Sequence, residues 1–313
     1  MKSWSGEIWG GLYILFAMFI IGPNDTLVVV LEDDVGVGQF HFLRSLLAIP
    51  LILVIGWVVG TNWTIYRPWA IIIRNLCFSA AMLIYFSSLS FLPMAVTGAG
   101  LFTCPIFVLI FSRLLFGQHI GWRRISAVVI GSLGVLIILD PNGTGFSWMN
   151  TMPICGGALL ALSNMITKRY CYRESPILLS GIGFFFLGVC GAITSLFFSI
   201  YPVEPVGQMT AFITTGWGVL TWSVFGIILL QAMFSTVAMW FMTRAYQIGD
   251  PTYINVYEYS FLIFAGLAAW IFLEQHLWMR DIYGIILIVV AGIIATLAGA
   301  RTDTMTDAKT AQG

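Results

Sequence analysis

Long apolar runs separated by short polar stretches dominate the chain. Ten such runs stand near residues 8–30, 39–59, 68–87, 93–115, 122–140, 153–171, 176–198, 216–242, 251–273 and 280–300. Each approaches the ~20 residues that a helix needs to cross a bilayer. The runs are continuous, whereas the strands of a membrane β-barrel would show alternation over ~10 residues. The pattern predicts an all-α integral membrane protein with ten transmembrane helices.

Composition agrees. The 313 residues are 59% hydrophobic and 9% charged, and the mean hydropathy is +0.94. Soluble domains carry about 25% charged residues. A net charge of zero argues against nucleic-acid binding. Lys and Arg set the orientation. With the N-terminus inside, Lys2, Arg67, Arg113, Arg123, Arg124, Lys168, Arg169, Arg173, Arg244, Arg301 and Lys309 fall on the cytoplasmic side, and Arg280 alone falls outside. The acidic run Glu32-Asp33-Asp34 and Glu204 also fall outside. The expected location is the cell (inner or plasma) membrane, with both termini cytoplasmic. The polar tail, residues 301–313, is expected to be disordered.

Two stretches are alike: FGQHIGWRR (Phe116–Arg124) and LEQHLWMRD (Leu273–Asp281), with Gln118-His119 and Gln275-His276 157 positions apart. Each follows one apolar run and precedes another. Five spans per half is an odd number, so the second half would enter the membrane inverted. The expected units are residues 1–146 and 147–300, two inverted five-helix repeats. Such repeats build transporters with a substrate site near the midplane.

Four stretches carry a family resemblance: FLRSLLAIPLILV (Phe42–Val54), the run from Arg74 to Gln118, WRRISAVVIGSLGVLIILDP (Trp122–Pro141) and EYSFLIFAGLAAWIFLEQ (Glu258–Gln275). The chain resembles the EamA-type branch of the drug/metabolite transporter superfamily. The resemblance implies a ten-helix carrier of small organic molecules, often an exporter, with a central cavity between the repeats. Two positions depart from the family pattern. Gly117-Gln118 stands where Gly-Glu is common, and Val29 stands where a Lys often follows a first-helix Asp.

Four charges interrupt the spans: Asp25, Arg44, Arg74 and Glu258. A charge at mid-bilayer costs roughly 2.5–3.5 kcal/mol on insertion scales, so it faces a cavity or a partner. By helical rise, Arg74 and Glu258 lie at matched depths of ~9–10 Å from the inner end, and Asp25 and Arg44 at ~8 Å from the outer end. Each pair reads either as a structural ion pair or as part of a site. For Asp25, Arg44 and the adjacent Asn24, a gate or register-fixing pair is the reading. Pro23 should break the first helix there, and Pro105 is placed similarly in the fourth.

Around Glu258, α-helical spacing puts Asn255 and Tyr259 on its face, with Tyr253 and Tyr257 flanking. A carboxylate among tyrosines suits an organic cation. In the repeat offset Arg74 corresponds to Gln231. Asn164, Tyr85 and Trp240 complete the candidate binding wall.

No H-E-x-x-H, G-x-S-x-G or Walker A pattern occurs, and the three histidines and five cysteines are scattered. No cofactor or metal is expected. The sequence reads as a secondary active transporter of a small metabolite, an amine or zwitterion such as an amino-acid-like compound, and not as an enzyme. Proton coupling is possible, and the chain would act as monomer or homodimer amid membrane lipid. The alternative is a membrane-embedded enzyme or sensor that uses the cavity without transport.

Overall fold

The computed structural model describes residues 6–28, 30–31, 34–88, 94–115, 117, 120–139, 151–203, 208–272 and 279–310. The Gln118-His119 and Gln275-His276 motifs, Glu32, Asp33, Glu204 and Lys2 lie outside the described residues.

The described residues form helices and connecting turns, without strands. In chain order the helices are α1 Gly6–Thr26, α2 Val37–Val58, α3 Pro68–Ser88, α4 Met94–Leu101, α5 Cys104–Leu114, α6 Trp122–Leu139 and α7 Met152–Tyr170. They continue with α8 Pro176–Ile200, α9 Gln208–Thr214, α10 Trp222–Ile248, α11 Pro251–Ile254, a 3-10 turn Asn255–Tyr259, α12 Ser260–Phe272 and α13 Met279–Thr310. Among the described residues, six helical stretches are long and apolar enough to cross a membrane: α1, α2, α3, α8, α10 and the stretch Pro251–Phe272.

Local sequence explains the helix ends. Proline opens α3, α8 and α11, where its missing N–H costs nothing. Ser175, Thr221 and Asp250 cap α8, α10 and α11 by accepting from the N–H groups of Ile177, Val224 and Thr252. Two elements differ from expectation. Helix α1 passes through Pro23 and ends at Thr26; neighbouring helices hold it, and Thr26 Oγ1 donates to the Gly22 carbonyl at 3.1 Å. Helix α13 runs to Thr310, into the segment read as a disordered tail. That segment has no Gly or Pro before Gly313 to stop it.

Burial is inverted relative to a water-soluble domain. Trp57, Trp222, Leu114 and Phe272 are exposed, while Gln39, His41, Arg74, Asn75, Gln231 and Asn255 are buried. Lipid rewards apolar side chains facing outward and confines polar groups to the bundle interior.

The helices pair in a definite pattern. α6 packs on α13, and α2 packs on α8. α1 packs on α10 and α12, whereas α7 packs on α3 and on α4 and α5; α2 also meets α10, and α3 meets α8. Small residues permit the closest approaches. A Cβ on Gly191 of α8 would stand 2.7 Å from the Gly38 carbonyl oxygen of α2, and one on Gly134 of α6 would stand 2.8 Å from the Gly284 carbonyl oxygen of α13.

Gly191→Leu should therefore force α2 and α8 apart. Overpacking of this kind costs ~1–3 kcal/mol. A lower melting temperature in detergent, with Gly181→Leu less affected because only one side-chain methyl stands near it at 3.2 Å, is the expected outcome.

Candidate functional site

Two of the helical stretches are broken, and the breaks meet. Helix α4 stops at Leu101 and α5 starts at Cys104, one residue ahead of Pro105. The other stretch tightens into the 3-10 turn between α11 and α12. Cys104 Sγ lies 3.3 Å from Asn255 Nδ2, joining the two irregular segments in the interior.

Beside this junction lies a cavity of about 130 Å³. Its wall is mostly apolar. α1 supplies Met18 and Ile21, α3 supplies Phe78, Met82, Tyr85 and Phe86, and Leu101 and Phe102 come from the first break. α7 and α8 add Leu160, Phe184 and Leu187; α10 adds Ser235, Met239 and Met242; Phe261 follows the 3-10 turn. Three charged side chains interrupt this wall: Asp25, Arg44 and Glu258.

The 3-10 geometry decides which residues accompany Glu258. With three residues per turn, side chains at i and i+3 eclipse, so Glu258 aligns with Asn255. The expected face, which joined Tyr259 to Glu258, assumed 3.6 residues per turn. The tyrosines instead splay away. Tyr259 pairs with Ser132 of α6 at 2.9 Å, Tyr253 stacks under the Arg124 guanidinium at 4.2 Å, and Tyr257 packs where a Cβ on Gly11 of α1 would touch its ring at 2.8 Å. None of the three lines the cavity. The tyrosine that does meet Glu258 is Tyr246 of α10, whose hydroxyl donates to Oε1 at 2.6 Å. Tyr246 lies on a separate helix, and no sequence spacing pointed to it.

Arg74 and Glu258 do not meet. Arg74 Nε donates to Thr167 Oγ1 at 3.1 Å, Nη1 donates to Asn75 Oδ1 at 2.5 Å and to the Leu179 carbonyl at 3.3 Å, and Nη2 donates to Thr243 Oγ1 at 3.4 Å. These bonds hold it among α3, α7, α8 and α10, away from the cavity wall. Asp25 and Arg44 do face one cavity. They are within electrostatic reach of each other but make no contact ion pair within 4.0 Å.

The remaining candidates divide. Tyr85 lines the cavity. Gln231 and Asn24 lock α10 to α1: Asn24 Nδ2 donates to Gln231 Oε1 at 2.8 Å, and Gln231 Nε2 donates to the Asn24 carbonyl. Asn24 also reaches the cavity residue Ser235 at 3.2 Å. Asn164 is buried outside the lining, with Nδ2 unpartnered. Trp240 belongs to a second, apolar recess with Ile52 and Ile177. Most of the Phe and Met lining was missed because such residues in an apolar run carry no mark of the face they occupy.

Polar contacts tie the end of the bundle where α1 begins. Arg124 pairs with Asp250 at 3.0 Å. The Asp250 N–H donates to the Glu7 carboxylate at 2.9 Å. Lys168 Nζ donates to the Ile248 carbonyl at 3.1 Å, and Gln247 Nε2 donates to the Glu174 carbonyl at 2.7 Å. At the opposite end, Gln39 of α2 exchanges two hydrogen bonds with the Gly218 backbone, at 2.6 and 3.1 Å.

Comparison with known proteins follows the same lines. Residues 8–140 match the EamA-like transporter family. A riboflavin transporter of Rhizobium johnstonii is 25% identical over 218 residues, covering 68% of this chain and 67% of that one. An S-adenosylmethionine uptake transporter of Rickettsia prowazekii is 23% identical over 288 residues, 90% of each chain. A pseudopaline exporter of Pseudomonas aeruginosa is 22% identical over 293 residues, covering 91% of this chain and 94% of that one. A solved crystal structure at 17% identity superposes with a TM-score of 0.70 over 92% of this chain and 98% of its own, a likeness of fold alone. The match over residues 8–140, the relatives and the apolar helical bundle are those of a multi-pass membrane protein similar to EamA-type transporters of the drug/metabolite transporter superfamily.

Proposed function

We propose that the chain is a secondary active transporter of a small organic metabolite bearing an amine, moved by alternating access. One observation carries the reading. Two broken helices meet at Cys104 and Asn255 and border an apolar cavity that holds three charges. Discontinuous helices at corresponding places in two halves are where transporters build their sites, because irregular backbone is tolerated at membrane depth only inside protein or beside a cavity.

The helix pairing supports two inverted repeats, residues 1–146 and 147–300. Let α1, α2, α3, α4–α5 and α6 be the first five spans, and α7, α8, α10, α11–α12 and α13 the second five. Exchanging the halves then turns each main pairing into another. α2–α8 and α6–α13 map onto themselves, α1–α10 maps onto α7–α3, and α1–α12 maps onto α7 with α4–α5. The orientation has both termini cytoplasmic. In a Cys-free background, Asp34→Cys should react with an impermeant maleimide added outside intact cells. Reaction only after the membrane is opened would reverse the topology.

Glu258 is the counter-ion for the amine, or the group that carries a coupled proton. Glu258→Gln keeps the shape and the bond from Tyr246 but removes the charge. As counter-ion, its loss should weaken an amine by roughly 1.5–3 kcal/mol, about ten- to a hundredfold. As proton carrier, the variant should bind and exchange substrate yet fail to concentrate it. Binding and proteoliposome counterflow across pH 5 to 8 separate the two roles, and unchanged affinity together with unchanged accumulation would remove Glu258 from both.

A further inference from the structure

The surroundings of Arg44 are those of a cation awaiting an anion. The residue is 6% exposed and faces the cavity. Three rings surround its guanidinium, with centroids at 4.9 Å for Phe40, 5.9 Å for Phe86 and 5.9 Å for Phe184. Its one hydrogen bond runs from Nη2 to His41 Nδ1 at 3.2 Å, and Nε has no partner. A guanidinium only donates, so His41 Nδ1 accepts and the ring proton sits on Nε2. His41 thus orients Arg44 without offering negative charge. The groups facing Arg44 are then rings from α2, α3 and α8, a neutral imidazole, and Asp25 of the same cavity without a contact pair.

A buried charge with an unused donor is costly unless an acceptor arrives. We propose that Arg44 is the anion subsite of the cavity: it takes a carboxylate of the cargo in its two-pronged geometry, while Glu258 takes the ammonium. The proposal rests on the transport reading above and narrows its substrate class to zwitterions. The Phe78, Met82, Phe102 and Phe261 side chains of the same wall offer an apolar bed for the body of the molecule. His41 is a positioning residue that holds the fork toward the cavity.

The competing assignment is a static Asp25–Arg44 pair, and the two differ without knowledge of the natural cargo. The full-length protein in detergent is melted in the presence of 3-phenylpropionate, which offers only the carboxylate, and separately of 2-phenylethylamine, which offers only the amine. Both should stabilise the wild type. Arg44→Gln should weaken the carboxylate response by about tenfold or more, the loss of a charge-assisted bond, and leave the amine response intact; Glu258→Gln should do the reverse. Should Arg44→Gln fold poorly, Arg44→Lys retains the charge without the fork and should still weaken the carboxylate. Asp25→Asn should leave the carboxylate response in place. A carboxylate response that is equal in the wild type and the Arg44 variants, or absent from the wild type, overturns the subsite. Loss of the carboxylate response in Asp25→Asn overturns it too. An amine response that disappears only in Glu258→Gln would leave the transport reading standing in either case.

Discussion

A hydrocarbon interior offers no hydrogen-bond partner to a backbone amide or a charge, and the rest of this structure follows from that constraint. It explains the long helices and the small residues where they touch. It also explains why the irregular segments are not scattered. The 102–103 break and the 3-10 turn each leave backbone groups outside the regular α pattern, and they lie against one another through Cys104 and Asn255. The charges obey the same rule. Arg74 is wrapped by four hydrogen bonds, and Asp25, Arg44 and Glu258 share one cavity.

The two ends of the bundle are closed by different chemistry. Where α1 begins, Glu7, Arg124, Lys168, Gln247 and Asp250 link the ends of α1, α6, α7 and α10. At the other end Gln39 grips one backbone residue, Gly218, above an apolar cluster containing Leu31, Phe40 and Ile228. In the proposed cycle these are the contacts that part in turn. Asp250 couples its end to the site directly, because it caps α11, which leads into the turn that carries Glu258. A displacement of α11 that broke the Arg124 pair would also move the carboxylate.

The helical bundle was legible in the sequence because continuous apolar runs of that length have few other fates. So were the charges worth attention, since their cost inside lipid singles them out. Their partners were not. Depth along a helix is one coordinate, and pairing needs rotation as well: Arg74 and Glu258 match in depth yet face different neighbours, while Asp25 and Arg44 match and do share a cavity. The tyrosines around Glu258 were misassigned for a related reason. A 3.6-residue period was applied to a segment that adopts a period near three, where Asn255 keeps the face of Glu258 and Tyr259 turns away from it. Tyr246 and His41, which touch the charges directly, come from other helices or from apolar context without a signal.

Helix packing and cargo choice are separable in this architecture. The relatives named for riboflavin, S-adenosylmethionine and pseudopaline include one uptake and one export protein, although each matches this chain over 68% of its length or more. The frame therefore fixes neither substrate nor direction. What distinguishes a cargo is the wall of the cavity, and here the wall is mostly apolar, with three charged side chains. Two carboxylates and one guanidinium leave the cavity acidic when all are ionised. In the proposed assignment a carboxylate gains Arg44 and an ammonium gains Glu258, so a molecule that carries both charges has a partner at each.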